Sequence, residues 1–183
     1  MTFLCPYTNL RLEAWKALRE HTGHRALFRS VAGDAHDYAC LVTEWWERGS
    51  DFALVEHDIV IRADVVEAFE TCPEPWCAFP YEWTTNIGPA LGCTRFRSAL
   101  MKERPEAARM ALREAPHFRQ FGWYLTERAL EGHHPHLHLP CVEHLNEEQR
   151  LQENPITKGW SVQQHLEHLG YALASDKLTA VHQ

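Results

Sequence analysis

Two stretches of the chain place side chains of catalytic or metal-binding type at short spacing. The first is "FALVEHDIV", Phe52 to Val60, in which a run of apolar residues ends in Glu56, His57 and Asp58 before apolar character resumes. Alternate residues of an extended strand point the same way, so Glu56 and Asp58 are expected to face one ligand together. Two hard carboxylate oxygens at a strand tip suit a divalent ion of the Mg or Mn kind, whose shell is usually completed by substrate phosphates. The competing reading is a pair of solvated turn acids. The second stretch is "HHPHLHLPCVEHLN", where His133, His134, His136, His138 and His144 crowd twelve positions with Cys141. His136 and His138 share a side if this segment is extended, and Cys72 and Cys77 could add sulfur to a Cys/His zinc site. Against it, Cys72 and Cys77 are separated by four residues and Cys141 and His144 by two, so no ligand knuckle repeats. No HExxH is present, which removes the simplest zinc-hydrolase signature.

The elements that must hold these residues alternate. "TFLC" is a short apolar strand stopped by the turn Pro6 to Asn9, and Leu10, Ala14, Ala17 and Leu18 then recur at helical spacing. "RALFRSV" is a second strand ending in Ala32-Gly33-Asp34. A helix with Tyr38, Leu41, Val42 and Trp45 on one face follows and stops at Gly49. "DFALVEHDIV" is expected to be the third strand, Asp64 to cap a short helix carrying Val65, Val66 and Phe69, and "WCAFPY" to be the fourth strand. This order belongs to a parallel α/β sheet with right-handed crossovers. The second half is less regular. "TTNIGPALGCTRF" reads as a Gly-containing loop before a helix near Ser98 to Glu103, and another helix spans about Phe118 to Glu131. Ser161 and Gln164 form a capping box for a helix with Val162, Leu166, Leu169 and Leu173 on one face.

Bulk properties narrow the function classes. At 183 residues with 45% hydrophobic residues, seven Trp, eight Phe and five Tyr, one domain can bury a sizeable core. A formal net charge of −7 disfavours wrapping of nucleic acid, which relies on basic side chains to neutralise phosphates. No apolar run approaches a membrane span and no charged leader precedes a long apolar stretch, so reduced cysteines in a cytoplasmic protein are expected.

A strand ending in acid-x-acid after two βα units resembles the Asp-x-Asp motif of nucleotide-sugar glycosyltransferases of the GT-A fold. Other segments follow in the order of that family. "TFLCPYTNL" is similar to its first strand and nucleotide-contacting turn, and "WCAFPYEW…IGPALGCTRFRSALM" to a later strand with the acceptor-side loop and helix. "PHLHLPCVEHLN" resembles the closing strand that carries a late metal-binding His. The likeness runs over roughly Thr2 to Asn146 in short pieces and is close to small glycosyltransferase-like proteins of actinobacteria and their phages. Two departures stand out: the motif is Glu-His-Asp, and the chain leaves little room for an acceptor domain.

The resemblance implies a single-domain, GT-A-like (Rossmann-like) three-layer α/β/α fold with a mainly parallel central sheet. Residues 1–81 would be the nucleotide-sugar half, 82–146 the acceptor-side half with the late metal His, and 147–183 a C-terminal helical extension. It further implies that Asp58 and His144 bind Mn2+ or Mg2+, with Glu56 on the metal or the donor ribose. Pro6, Tyr7, Asn9 and Asp34 would contact a UDP- or GDP-sugar donor, Tyr7 by stacking. Were the reaction inverting, a carboxylate would serve as base, Glu82 first and Glu143 in reserve. The acceptor could be a protein, a glycan or modified DNA. Bland roles stand beside these: Asp34 as a helix N-cap, Tyr7 as a packed turn aromatic, Glu82 as an exposed loop acid. Two other functions remain open, a zinc-binding Cys/His protein or hydrolase built on the His133–His144 cluster, and a nucleotide-sugar-binding module with a degenerate catalytic site.

Overall fold

Strands β1 (Thr2–Tyr7) and β3 (Phe52–Val55) lie side by side in parallel, with Leu4 opposite Leu54, and their side chains alternate between two cores. Leu4, Phe52 and Leu54 enter one core, whereas Phe3, Cys5, Ala53 and Val55 enter the other. A strand buried on both faces has no polar side to show, which explains its unbroken apolar run. Each Leu, Phe or Val among them contributes about 1.5–3 kcal/mol on burial. The computed structural model describes residues 1–31, 34–83, 86–88, 91–139, 142–145, 171–173 and 179–182.

Helices cover both faces. Helix α1 (Leu12–Thr22) and α3 (Ala63–Thr71) pack on each other and supply Leu18, Val65, Val66 and Phe69 to the second core. Helix α2 (Ala35–Arg48), α4 (Ser98–Glu103), α5 (Ala107–Glu114) and α6 (Phe118–Tyr124) bury Tyr38, Trp45, Trp46, Leu100, Ala111 and Phe121 in the first. Asp34 caps α2, its Oδ1 accepting from His36 N–H at 2.9 Å, and Gly49 ends it in the left-handed region at φ 63°. The expected three layers of one α/β domain are thus present.

The sheet order is β2 (Ala26–Ser30), β1, β3, β8 (Cys93–Phe96), β5 (Trp76–Ala78), β9 (His136–His138), β12 (Thr179–His182) and β11 (Tyr171–Leu173). The strands β2, β1, β3, β5, β9 and β11 share one direction; β8 and β12 run against them. The sheet is therefore mixed, although most of its strands point one way.

Several expectations need correction. "DFALVEHDIV" is not one strand: β3 ends at Val55, and Ile59 N–H donates to Glu56 O at 3.1 Å, closing a turn before β4 (Ile59–Val60). The acids sit on a turn, where the alternation that put them on one face does not apply. "WCAFPY" also breaks, because β5 stops at Ala78 and Tyr81 opens a separate hairpin of β6 (Tyr81–Trp83) and β7 (Asn86–Gly88). The segment read as a loop before Ser98 contains the central strand β8. Asp64 is not the cap of α3: the N-cap position is Arg62, which makes no side-chain cap bond, and Asp64 stands in the first turn, paired to Arg62 at 3.0 Å. The helix expected over Phe118 to Glu131 is α6 followed by a π-helical turn, Leu125–Ala129. Residues 171–173 and 179–182 are sheet strands, so the C-terminal segment is not wholly helical and Leu173 stands on β11. The capping box at Ser161 and Gln164 lies outside the described residues.

Candidate functional site

The carboxyl ends of β1, β2 and β3 form one edge of the sheet, where α/β folds bind their ligands. The Glu56–Asp58 turn lies on that edge. Beyond it β4 pairs antiparallel with β10 (Glu143–His144), Ile59 opposite His144, and Leu145 N–H donates to Asp58 O at 2.8 Å. This two-stranded ribbon carries a residue far along the chain onto the turn. His144 Nε2 stands 3.3 Å from Asp58 Oδ2, both side chains buried. The His144 ring stacks on Tyr81, centroids 5.2 Å apart and planes within 18°.

The electrostatics follow from burial around the two acids. Burial works to raise the Asp58 carboxyl, but the hydrogen bond with His144 and the charges of His57 and His144 together hold it below its ordinary value. Glu56 goes the other way. Burial, with the Asp58 charge beside it, pushes its carboxyl up to about 7, against the Tyr38 hydrogen bond and the His144 charge. Tyr38 O–H donates to Glu56 Oε1 at 2.8 Å. Burial first, and the Glu56 charge second, hold the Tyr38 hydroxyl well above its usual range. Burial also lowers His57. Two adjacent acids with values pushed apart are a signature of functional sites.

A stability measurement checks this. The Glu56 carboxyl titrates at about 7 in the folded protein against 4.5 for an ordinary Glu. Between those values the folded state holds more protons than the unfolded state, so stability falls as pH rises. The contribution is fully present below pH 4.5 and gone above about 7, a loss of about 3 kcal/mol for a gap of this size. Urea unfolding of metal-free protein across that window is expected to show the decline, and Glu56→Gln to flatten it. An unchanged slope in the variant would place the proton elsewhere.

A divalent cation fits the turn on one observation in particular. Asp58 is only 8% exposed, yet its Oδ1 has no hydrogen-bond partner. A buried carboxylate oxygen left unpaired costs about 1–3 kcal/mol or more, and a cation would satisfy it. Asp58 and His144 could supply a carboxylate and an imidazole, a donor pair that suits Mn better than Mg, whereas the Glu56 carboxylate does not converge with both to within 4.8 Å.

The other candidate residues are distributed as follows. Pro6 and Tyr7 end β1 on the same sheet edge, Pro6 buried and Tyr7 partly so; Asn9 is exposed just beyond. The Pro6 backbone hydrogen-bonds His57, which links the β1 tip to the acidic turn. Asp34 is exposed as the cap of α2. Glu82 lies in β6, paired with Ile87, next to the Tyr81 that stacks on His144. Glu143 is exposed and, one residue from His144 in a strand, faces away from Asp58. The histidine-rich stretch does not converge on one point: His144 meets Asp58, His133 Nε2 meets Glu103 Oε1 at 3.0 Å, and His136 and His138 approach Cys72. Cys141 lies outside the described residues.

Three participants escaped the sequence reading: Tyr38, Tyr81 and Gly92. Tyr38 had a signal, since a Tyr on an apolar helix face must find a partner for its hydroxyl. Gly92 had none. Its carbonyl accepts from Glu56 N–H at 2.8 Å, and a Cβ there would meet the Tyr81 hydroxyl and come within 2.8 Å of Glu56 Oε2.

No known protein-family model matches the chain, and no curated protein does. Among solved structures, the crystal structure of A197 from STIV is similar, with a TM-score of 0.53 and 13% identity. The similarity covers 100% of this chain and 95% of that one. At this identity it is a likeness of fold. Among the described residues no helix is long and apolar enough to cross a membrane.

Proposed function

We propose that the chain is a GT-A-like, metal-dependent glycosyltransferase that moves a sugar from a nucleoside-diphosphate donor to an acceptor hydroxyl. The observation that carries this reading is the meeting of Asp58 and His144 at the carboxyl edge of the parallel strands, with Asp58 Oδ1 buried and unpartnered. Asp58 and His144 hold Mn2+ or Mg2+, and Glu56 binds it or the donor ribose. A bound cation supplies charge neutralisation for the diphosphate that departs.

The chain's own groups do the rest. Tyr7, with Pro6 and Asn9, lines the base and ribose of a UDP- or GDP-sugar at the tip of β1, and Asp34 contacts the base from the end of β2. Tyr38 fixes the Glu56 carboxyl through its 2.8 Å hydrogen bond, and Tyr81 fixes the His144 ring by stacking. In the transfer the bond from the anomeric carbon to the diphosphate oxygen breaks and a bond to the acceptor oxygen forms. In an inverting reaction the acceptor proton passes to a carboxylate, Glu82 or, in reserve, Glu143. Protein, glycan and modified DNA are all acceptors compatible with this reading.

A thermal-shift screen of UDP- and GDP-sugars with and without Mn tests it, because a ligand of the native state raises apparent stability by mass action. One donor is expected to raise Tm only when Mn is present. Failure of every donor to shift Tm in either condition would remove the reading. A shift without subsequent turnover would instead identify a binding module.

A further inference from the structure

We propose that Cys72, His136 and His138 form a zinc site, separate from the Asp58–His144 pair, that clamps the end of helix α3 to strand β9. The ligand atoms of these three side chains lie within 4.8 Å of one another. Tetrahedral zinc, with bonds of about 2.0–2.3 Å, sets its ligand atoms roughly 3.4–3.6 Å apart. Side-chain adjustments of about an ångström therefore close the site. One thiolate and two imidazoles are the donor set that selects zinc over Mg or Ca.

The elements around the three residues hold them in place. Cys72 is the residue that ends α3, its N–H donating to Ala68 O at 2.9 Å. His136 and His138 alternate with Leu137 on β9, so both rings project from one face, 4.8 Å apart at their centroids. His138 stacks on Phe79 at 5.0 Å, which fixes its plane. It is 9% exposed, and its Nε2 has no hydrogen-bond partner. A buried imidazole nitrogen left unpaired is costly, and a second metal-sized gap in the hydrogen bonding thus coincides with three ligands of the right kind. His136 is only partly buried, which leaves a way in from solvent.

The neighbouring Cys77 has a different task. Its Sγ accepts from Arg95 Nε and Nη2 at 3.2 and 3.0 Å, and Arg95 also donates to Cys72 O and Glu74 O at 3.3 and 2.8 Å. The buried guanidinium thereby pins the loop that presents Cys72, and Cys72 is the sulfur ligand. Water completes the four-coordinate shell. This inference does not depend on the glycosyltransferase reading.

Metal content of the full chain, purified without chelator, tests it. One zinc per chain is expected, with X-ray absorption at the zinc edge showing one sulfur and two imidazoles in the first shell. Co2+ substituted for zinc should give a thiolate charge-transfer band that Cys72→Ser abolishes. His138→Gln should retain no more than about a tenth of the zinc, whereas Asp58→Asn and Cys77→Ser should retain all of it. Absence of zinc after growth in zinc-supplemented medium would overturn the proposal, as would a sulfur-free shell or loss of zinc in Asp58→Asn. If the Cys72 and His138 variants fail to fold, the absorption spectrum of the unaltered protein decides.

Discussion

Asp58→Ala is expected to reduce Mn-dependent turnover of the nucleotide sugar by about 10²–10³-fold, the scale seen when a group that stabilises developing charge is removed. The expectation rests on the proposed transferase reading. Asp58 has the one buried carboxylate oxygen of the turn with no partner, and its other oxygen meets His144. The other oxygen is bonded to the buried His144, so the variant also loses some stability in the absence of metal. Two effects are therefore expected in Tm: a fall in the absence of metal, and the disappearance of the Mn-induced rise. His144→Ala should show the same pattern at smaller amplitude, since one imidazole is lost and the carboxylate stays. Turnover by Asp58→Ala at the rate of the parent protein would eliminate the metal site on the Glu56–Asp58 turn.

Gly92→Ala is expected to destabilise the protein by about 1–3 kcal/mol, as overpacking does, and to weaken the same metal response. The cause is space. A Cβ at Gly92 would approach Glu56 Oε2 to 2.8 Å and Tyr81 Cζ to 2.9 Å, as well as the Tyr81 hydroxyl. Tyr81 is 3% exposed and stacked on His144, so it cannot swing aside without moving the imidazole. One methyl group thus reaches both partners of the Asp58 turn. Adding Tyr81→Phe to Gly92→Ala removes the closest atom and should recover part of the lost stability. Chemical denaturation of the single and double variants measures both effects, and a Gly92→Ala protein as stable as the parent would mean that the loop has room the geometry denies it.

Strands β1, β2 and β3 and helices α1 and α2 were legible as apolar patterns, although β1 runs on through Pro6 to Tyr7 and β3 stops at Val55. Strand β8 was not, because "CTRF" puts Thr94 and Arg95 in the middle of the sheet. Their polarity reads as loop until the partners are known: Thr94 Oγ1 accepts from Trp76 Nε1 at 2.9 Å, and Arg95 donates to the Cys72 and Glu74 carbonyls and to the Cys77 sulfur of β5. At the candidate site, residue type picked out Glu56, Asp58 and His144, and the likeness to a family suggested that the last two meet. Spacing suggested an extended acid-x-acid strand, and the turn at Glu56 shows why that failed: three polar residues cannot continue a strand buried on both faces. Of the second cluster, the alternation of His136 and His138 was visible. Cys72 and Cys77 were both candidates for its sulfur, and the choice between them depends on where α3 stops against β9.

The reversed strand β8 has a consequence for the order in which the molecule assembles. Strands β2, β1 and β3 can zip together from the first third of the chain through short-range crossovers. Strand β5 cannot join them until β8 has been made, because β8 sits between β3 and β5 and bonds to both. A nascent chain halted before Cys93 therefore holds β3 as an uncovered rim, a sticky template for other chains. The acidic turn waits longer still, until Glu143 and His144 have been made and β10 can pair with β4.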